Sequence, residues 1–375
     1  MTGEGPLGDR VFTLLHFFPS FAIGGQQRRL AALAGLLGPA FRHRILALDG
    51  DTGASALLDA PGERVLVEPL ALEKSPFISI QNIKRLRDVI LAADADLLCT
   101  YNFGAIEAVV ANRLSRNLPH IHHEDGFGAD EAGPRRKMRR AVARRLALGA
   151  SIVVVPSMTL EKIAAEEWRL DPARIRRIAV GIDVARFRRA APPATPPVIV
   201  GTLGALRREK NIARLIRCFE QASEGRDAQL LIYGEGPERA ALEAQIRGGR
   251  ASGRIRLAGA TSAPQSALAQ FHVFALSSDT EQTPTSLMEA MAAGLPAVAT
   301  DAGDIRQMVG EAQQAFIVAP ADEAGFAAKL RMLIDEASLR DRLGAANAAL
   351  APAFDQAAMA EAFRRLYVEA MGAAA

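Results

Sequence analysis

The sequence predicts an α/β protein made of two doubly wound, parallel-sheet domains that face each other across a cleft. Three observations predict it. At 375 residues, 49% hydrophobic and 23% charged, the chain is longer than one hydrophobic core usually serves. Short, nearly continuous apolar runs alternate with amphipathic helix patterns, as in parallel strands covered on both faces. The rhythm breaks once, at AAPPATPP (190–197), where four prolines in eight positions read as a semi-rigid linker, and then resumes.

Taken in order, the first-half strands are VFTLLHFF (11–18), HRILALD (43–49), VLVEPL (65–70), DLLCTY (96–101), HIHHE (120–124) and SIVVVPS (151–157). Helical patterns lie between most of them. After the linker come PVIVGTLG (197–204), QLLIYG (229–234), RIRLAG (254–259), HVFALSS (272–278), PAVATD (296–301) and AFIVAP (315–320). FDQAAMAEAFRRLYVEAM, once the second sheet is complete, reads as a helix free to fold back on either domain. The expected domains are 1–190, with the helix 354–375 assigned to it, and 191–353. Ligands of doubly wound sheets bind outside the carboxyl ends of the strands, which here would border the cleft.

Composition excludes several classes. MTGEGPLGDR is polar and carries no apolar run behind a basic head, so no secretory signal is expected. No stretch approaches the 18 or so apolar residues of a spanning helix. Cys99 and Cys218 stand far apart and without metal-ligand spacing, which fits a reducing compartment. The net charge is only +3, so any basic partner-binding feature must be local.

EQTPTSLMEAMAAGLP (281–296) carries the sharpest chemistry. Glu281 lies in the loop after a buried strand and Glu289 lies inside the helix that follows. Ser286 and Glu289 have the spacing of a capping box, and in that reading Glu289 only closes the helix. The competing reading uses the free N–H groups and positive end of the helix start, near Thr285 and Ser286, to hold a diphosphate. Glu289 would then accept from a ribose diol, and Glu281 would meet a sugar at the other end of the diphosphate. The spacing suits a nucleotide-diphosphate sugar.

A second stretch agrees. GTLGALRREKN (201–211) follows a strand and opens a helix; Gly204 permits close backbone approach, with Arg207, Arg208 and Lys210 beside it. A solvated basic loop is the alternative, and the Walker pattern is absent. In SFAIGGQQRRLAALAGLL, Gly24 and Gly25 stand between strand and helix, where a tight loop can approach a phosphate or sugar or simply turn. YGEGPER (233–239) is read as shaping a turn. HIHHEDGFGADE gathers His120, His122, His123, Glu124 and Asp125 at the end of a strand. By period two, His120 and His122 share a face, so at least one of them can be a packed core histidine. No zinc spacing is present.

GPRRKMRRAVARRLALGAS (133–151) carries Arg135, Arg136, Lys137, Arg139, Arg140, Arg144 and Arg145 and no acid. Met138, Val142 and Leu146 recur at helical spacing, so basic side chains flank an apolar stripe. The stripe either covers the first domain's core or rests on anionic lipid. No aromatic residue interleaves with the charges, so nucleic acid is not expected as a partner.

Together these stretches resemble the retaining glycosyltransferases of family 4, whose two Rossmann-like domains form the GT-B fold. The resemblance runs from about residue 11 to 370. It is strongest in GALRREKN, YGEGPER and SSDTEQTPTSLMEAMAAGLPAVATDAGD, with support from VVVPSMTLEKI and IAVGIDVARF. It implies that Glu281 acts near the transferred sugar and that Glu289 holds the nucleotide ribose. It also implies that Lys210 contacts the diphosphate, with Thr285 and Ser286 at the phosphate-binding helix start and Gly25 near the donor. Two departures stand out. Gly204-Ala205-Leu206 replaces the usual Gly-Arg-Leu, leaving Arg207 as the substitute. At the family's cleft histidine the alignment places Asp125, with His123 two residues earlier, and either can serve.

The function implied is retaining transfer of a sugar from a nucleotide-diphosphate donor to a hydroxyl of a glycan or lipid-linked acceptor. No cofactor and no metal are implied, since the helix dipole and Lys210 can stabilise the leaving diphosphate. The expected setting is cell-surface polysaccharide or lipopolysaccharide synthesis in a bacterium, in the cytoplasm, peripheral on the inner face of the cytoplasmic membrane. Two rivals remain: a GT-B-fold nucleotide-sugar epimerase, and a nucleotide-sugar-binding protein without catalysis.

Overall fold

The computed structural model describes residues 10–58, 64–73, 78–126, 134–189 and 196–372, with Pro134, Arg135 and Arg136 as backbone alone. The linker expected at 190–197 falls outside these, except for Pro196 and Pro197. The chain divides into two compact units: Met1–Val180 with Gln356–Ala375, and Gly181–Asp355.

The first unit runs β1 (Phe12–Phe18), α1 (Gly25–Leu36), β2 (Phe41–Ala47), β3 (Val65–Pro69), α2 (Ile80–Ala92), β4 (Leu97–Tyr101), α3 (Ile106–Arg113), β5 (His120–His123), α4 (Pro134–Leu148), β6 (Ile152–Val155), α5 (Met158–Glu166) and β7 (Ile175–Arg177). Its seven strands are ordered β3-β2-β1-β4-β5-β6-β7, every pair parallel. Winding reverses between β1 and β4, and loops leaving the two strands diverge there and open a crevice. β1 is an interior strand, which explains its nearly continuous apolar run: Leu14, Leu15, Phe17 and Phe18 are fully buried, with His16 buried among them.

The second unit runs α6 (Val184–Phe187), β8 (Val198–Leu203), α7 (Ile212–Ala222), β9 (Ala228–Tyr233), α8 (Arg239–Gly248), β10 (Ile255–Gly259), α9 (Pro264–Leu268), β11 (Val273–Leu276), α10 (Thr285–Ala292), β12 (Ala297–Thr300), α11 (Ile305–Met308), α12 (Glu311–Gln314), β13 (Ile317–Val318), α13 (Glu323–Asp335) and α14 (Ala337–Leu350). Its six strands are ordered β10-β9-β8-β11-β12-β13, again all parallel, and winding reverses between β8 and β11. One apolar cluster fills the side of the sheet under α7, α8 and α13, and another packs the opposite side with α9 and α10.

The last helix, α15 (Gln356–Ala370), belongs to the first unit. Phe363 and Tyr367 are fully buried there, and each such ring stabilises the docking by roughly 2–3 kcal/mol. The Phe363 ring lies 5.5 Å from His123, and the Arg364 guanidinium donates to the Leu37 carbonyl at 2.7 Å.

Three details differ from expectation. Nothing in the sequence marks β7, because three residues, Ile-Arg-Arg, are too short to show a period. The second unit starts at Gly181, earlier than 190, because the backbone of Ile182 bonds to Phe354 and α6 packs into the second unit's core. The strand expected at 315–320 is only Ile317–Val318, at the sheet edge.

Candidate active site

Glu281 and Lys210 meet at the switch point of the second sheet. β8 leads into the loop 204–211 and β11 into the loop 277–284, and the two loops are stitched together by their own hydrogen bonds. Asp279 N–H donates to the Glu209 carbonyl at 2.8 Å, and Ser277 Oγ donates to the carbonyls of Lys210 and Asn211. Asn211 adopts the left-handed conformation, φ 44°, which its short amide tolerates, and caps α7 by accepting from Arg214 N–H. Arg214 binds the Ser277 carbonyl at 3.0 Å and Asp279 at 2.7 Å. This frame brings Lys210 Nζ to 2.6 Å from Glu281 Oε1, and Ser278 Oγ donates to the same oxygen at 2.6 Å.

Glycines let neighbouring backbone close on the frame. A Cβ on Gly234 would collide with the Gly204 carbonyl, and one on Gly236 with that of Leu206, so YGEGPER braces the 204–211 loop. Gly303, at φ +59°, leaves room for the Glu281 carbonyl in the same way. Gly204 itself faces open space, with no atom within 4 Å of where a Cβ would stand. Arg207 is exposed and makes no ion pair among the described residues.

Helix α10 starts at Thr285, with Pro284 before it. Ser286 is therefore inside the helix, and the capping box does not form. Glu289 stands one turn in, half-buried, below an exposed Thr285 and a half-buried Ser286. The first N–H groups of a helix have no partner within it, so this end offers donors and a partial positive charge to an anion.

In the first unit, the carboxyl ends of β1, β4 and β5 meet at the other switch point. Gly25 opens α1, and a Cβ there would touch nothing. Asn102, at a positive φ of 50°, exchanges two 3.1 Å hydrogen bonds with the Gln26 amide and accepts from Asp125 N–H at 3.1 Å. Asp125 is held by the Arg29 fork, Nη1–Oδ1 2.5 Å and Nη2–Oδ2 2.8 Å. Burial works against the Arg29 charge, and the Asp125 carboxylate more than restores it, raising the guanidinium pKa.

His123 is corrected by the structure: it is 1% exposed, stacked between Tyr101 at 4.5 Å and Phe363 at 5.5 Å, and closed to a sugar. Burial pushes its pKa well down, with Arg29 adding to the effect. Asp125, at the strand end, keeps an open edge. His120 and His122 do share a face, bridged by Thr100 Oγ1 at 2.8 and 2.7 Å.

Arg144 is a second correction. It is 1% exposed and faces inward, its Nε 2.7 Å from Glu124 Oε2 and its guanidinium over the rings of Trp168 (4.6 Å) and Phe103 (5.0 Å). Burial would raise the Glu124 carboxyl, but the His122 hydrogen bond and Arg144 hold it below its ordinary value. Arg140 lies over Phe103 at 4.6 Å, and Lys137 pairs with Glu167 at 3.1 Å. Arg139 and Arg145 are exposed, while the side chains of Arg135 and Arg136 lie outside the described residues. The apolar stripe points outward: Met138, Val142 and Leu146 are 70%, 53% and 71% exposed.

The sequence by itself does not single out Arg29, Asn102 or Gln26. Their partners are far away in the chain, and only the Arg-Arg after the glycine loop hinted at a buried cation.

Two doubly wound parallel sheets, of seven and six strands, are the architecture of the GT-B class of glycosyltransferase. A glycosyltransferase from Rickettsia africae ESF-5 matches the fold with a TM-score of 0.80 at 15% identity, covering 96% of this chain and 99% of that one. The Anabaena protein HepE, solved in complex with UDP, matches with a TM-score of 0.80 at 18% identity, covering 96% and 100%. Residues 23–186 match the family described as Glycosyltransferase Family 4, and residues 183–349 match Glycosyl transferases group 1. The chain belongs to the group 1 glycosyltransferases of the family 4 type. The lipopolysaccharide core biosynthesis glycosyltransferase LpsD of Rhizobium meliloti (strain 1021) is 28% identical over 225 residues. That alignment spans 58% of this chain and 62% of LpsD, less than two thirds of the relative's length.

Proposed function

We propose that this chain is a retaining, metal-independent glycosyltransferase. It moves a sugar from a nucleotide-diphosphate donor to a hydroxyl of a glycan or lipid-linked acceptor, in bacterial lipopolysaccharide or other cell-surface polysaccharide synthesis. The observation that carries the reading is the Lys210–Glu281 pair at 2.6 Å in the loops at the second sheet's switch point, which α10 follows.

In this reading the start of α10, at Thr285 and Ser286, takes the diphosphate, with Lys210 as its cation and Arg207 reaching in from the exposed loop. Helix end and ammonium stabilise the charge that develops on the leaving diphosphate, so no metal is required. Glu289 takes the ribose diol, and Gly204 leaves room for the nucleotide. Glu281 already accepts from Lys210 and Ser278, which suits it to orienting the sugar and screening positive charge at the reacting carbon. It is not the nucleophile: the acceptor hydroxyl attacks on the face the diphosphate leaves. UDP in HepE and the lipopolysaccharide role in LpsD's name support the ligand class and the setting.

For location, we propose peripheral attachment to the anionic inner face of the cytoplasmic membrane through α4. Its outward Met138, Val142 and Leu146 stand beside exposed Arg139 and Arg145. Among the described residues, no helix is long and apolar enough to cross a membrane.

A panel of nucleotide sugars, read by thermal shift and by nucleotide release with and without acceptor extract, tests the function. Release that requires acceptor supports transfer. Conversion of donor alone would indicate an epimerase, and binding without release in any extract a non-catalytic binder.

A further inference from the structure

We propose that Arg29 is a positioning residue: its fork holds Asp125 as the acceptor for a sugar hydroxyl at the carboxyl end of the first sheet. The inference rests on the glycosyltransferase reading above and adds a residue to it.

Arg29 comes from α1 and is 5% exposed, whereas the Asp125 side chain keeps 17% of its surface. Two parallel N–H···O bonds fix the plane of the carboxylate as well as its place, which a single bond from a lysine would not. Each carboxylate oxygen keeps a further lone pair for an outside donor. Asn102 ties the strand ends together, accepting from Asp125 N–H and pairing with Gln26, so the loops after β1, β4 and β5 hold one arrangement.

The chemistry of the set is that of hydroxyl recognition. One carboxylate and two carboxamides are grouped at a switch point, where doubly wound sheets take ligands. Among the described residues, the cation in this group is occupied by Asp125, so a free anion finds repulsion. Neutralising Arg29 could be done by an acid sealed in the core. Asp125 instead stands at the strand end, with part of its carboxylate open. The hydroxyl belongs to the transferred sugar or to the acceptor.

The full chain is assayed for nucleotide release as wild type, Arg29→Lys, Asp125→Asn and the double Arg29→Gln/Asp125→Asn, which leaves no unpaired buried charge. Calorimetric affinity for a nucleoside diphosphate and the thermal transition are measured beside it. Asp125→Asn should lower kcat/KM about 10- to 100-fold, as expected for a lost hydrogen bond to a charged group. Arg29→Lys should lower it about tenfold, and the double should be no worse than Asp125→Asn, because Arg29 acts through Asp125. Nucleoside diphosphate affinity should stay at the wild-type value in all three. A raised KM for donor assigns the hydroxyl to the transferred sugar, and a raised KM for acceptor assigns it to the acceptor. Wild-type kcat and KM in Arg29→Lys, or losses that multiply in the double, overturn the inference. A wild-type protein that neither binds nucleoside diphosphate nor releases it from any donor overturns the glycosyltransferase reading, and this inference with it.

Discussion

Lys210 Nζ and Glu281 Oε1 lie 2.6 Å apart, though the residues stand in different loops of the second sheet. Ser278 donates to the same oxygen, and the Glu281 side chain is only 8% exposed. In the proposed reading, the cation for the diphosphate and the carboxylate for the sugar are therefore preorganised against each other. A donor bound as proposed has to share or redirect Lys210 without losing the place of Glu281.

The first prediction separates the two. Lys210→Ala should weaken nucleoside diphosphate binding measured by calorimetry. Glu281→Gln should lower turnover far more than donor affinity, by about 3 kcal/mol in the barrier, the usual scale for one preorganised charge. Normal turnover in Glu281→Gln would remove it from the mechanism.

Arg207 is exposed and makes no ion pair among the described residues. Arg207→Ala should therefore leave the melting temperature unchanged while weakening diphosphate binding, and the difference should shrink as salt is added. Equal affinity at low salt would mean that the arginine absent at Ala205 has no substitute.

Acid should unfold the first unit early. Burial holds the pKa values of His16, His43, His120 and His123 below the ordinary value, His43 at about 4. Unfolded, each titrates near 6.5, so between the two values the unfolded chain binds the proton and the folded one does not. Stability is thus full above about pH 6.5 and falls as pH drops, by roughly 3 kcal/mol at pH 4 from His43 alone. Glu124 acts in the same direction lower down: its folded pKa is depressed, so its contribution is present above the ordinary carboxyl range and lost in acid. Trp168, the single tryptophan, is buried in this unit and reports on it by fluorescence. Urea midpoints that do not change between about pH 7.5 and 5 would contradict the account.

On vesicles, binding should require anionic lipid. It should fall in Arg139→Gln/Arg145→Gln, each charge contributing roughly 1 kcal/mol near the surface. Met138→Ser/Leu146→Ser should also weaken it, since those side chains are exposed. Arg144→Gln is a folding variant instead: it strands the Glu124 carboxylate in the core at a cost of about 3–5 kcal/mol. Sedimentation that is equal on neutral and anionic vesicles, or absent on both, would leave α4 an ordinary surface.

By itself the sequence determined the two-sheet architecture and the two strand-to-helix loops of the second unit's switch point. Those features are local: a buried parallel strand is a nearly continuous apolar run, and 204–211 and 277–289 each hold their chemistry within one strand-to-helix turn. Tertiary structure decided everything that depends on distant partners. It buried His123 in an aromatic stack closed by α15. It turned Arg144 inward against Glu124 while Arg139 and Arg145 stayed outside, and it joined Arg29 to Asp125. A helical period places residues on faces, but which face meets solvent depends on what packs against it. A charge buried beside a partner far along the chain looks, in the sequence, like any surface arginine.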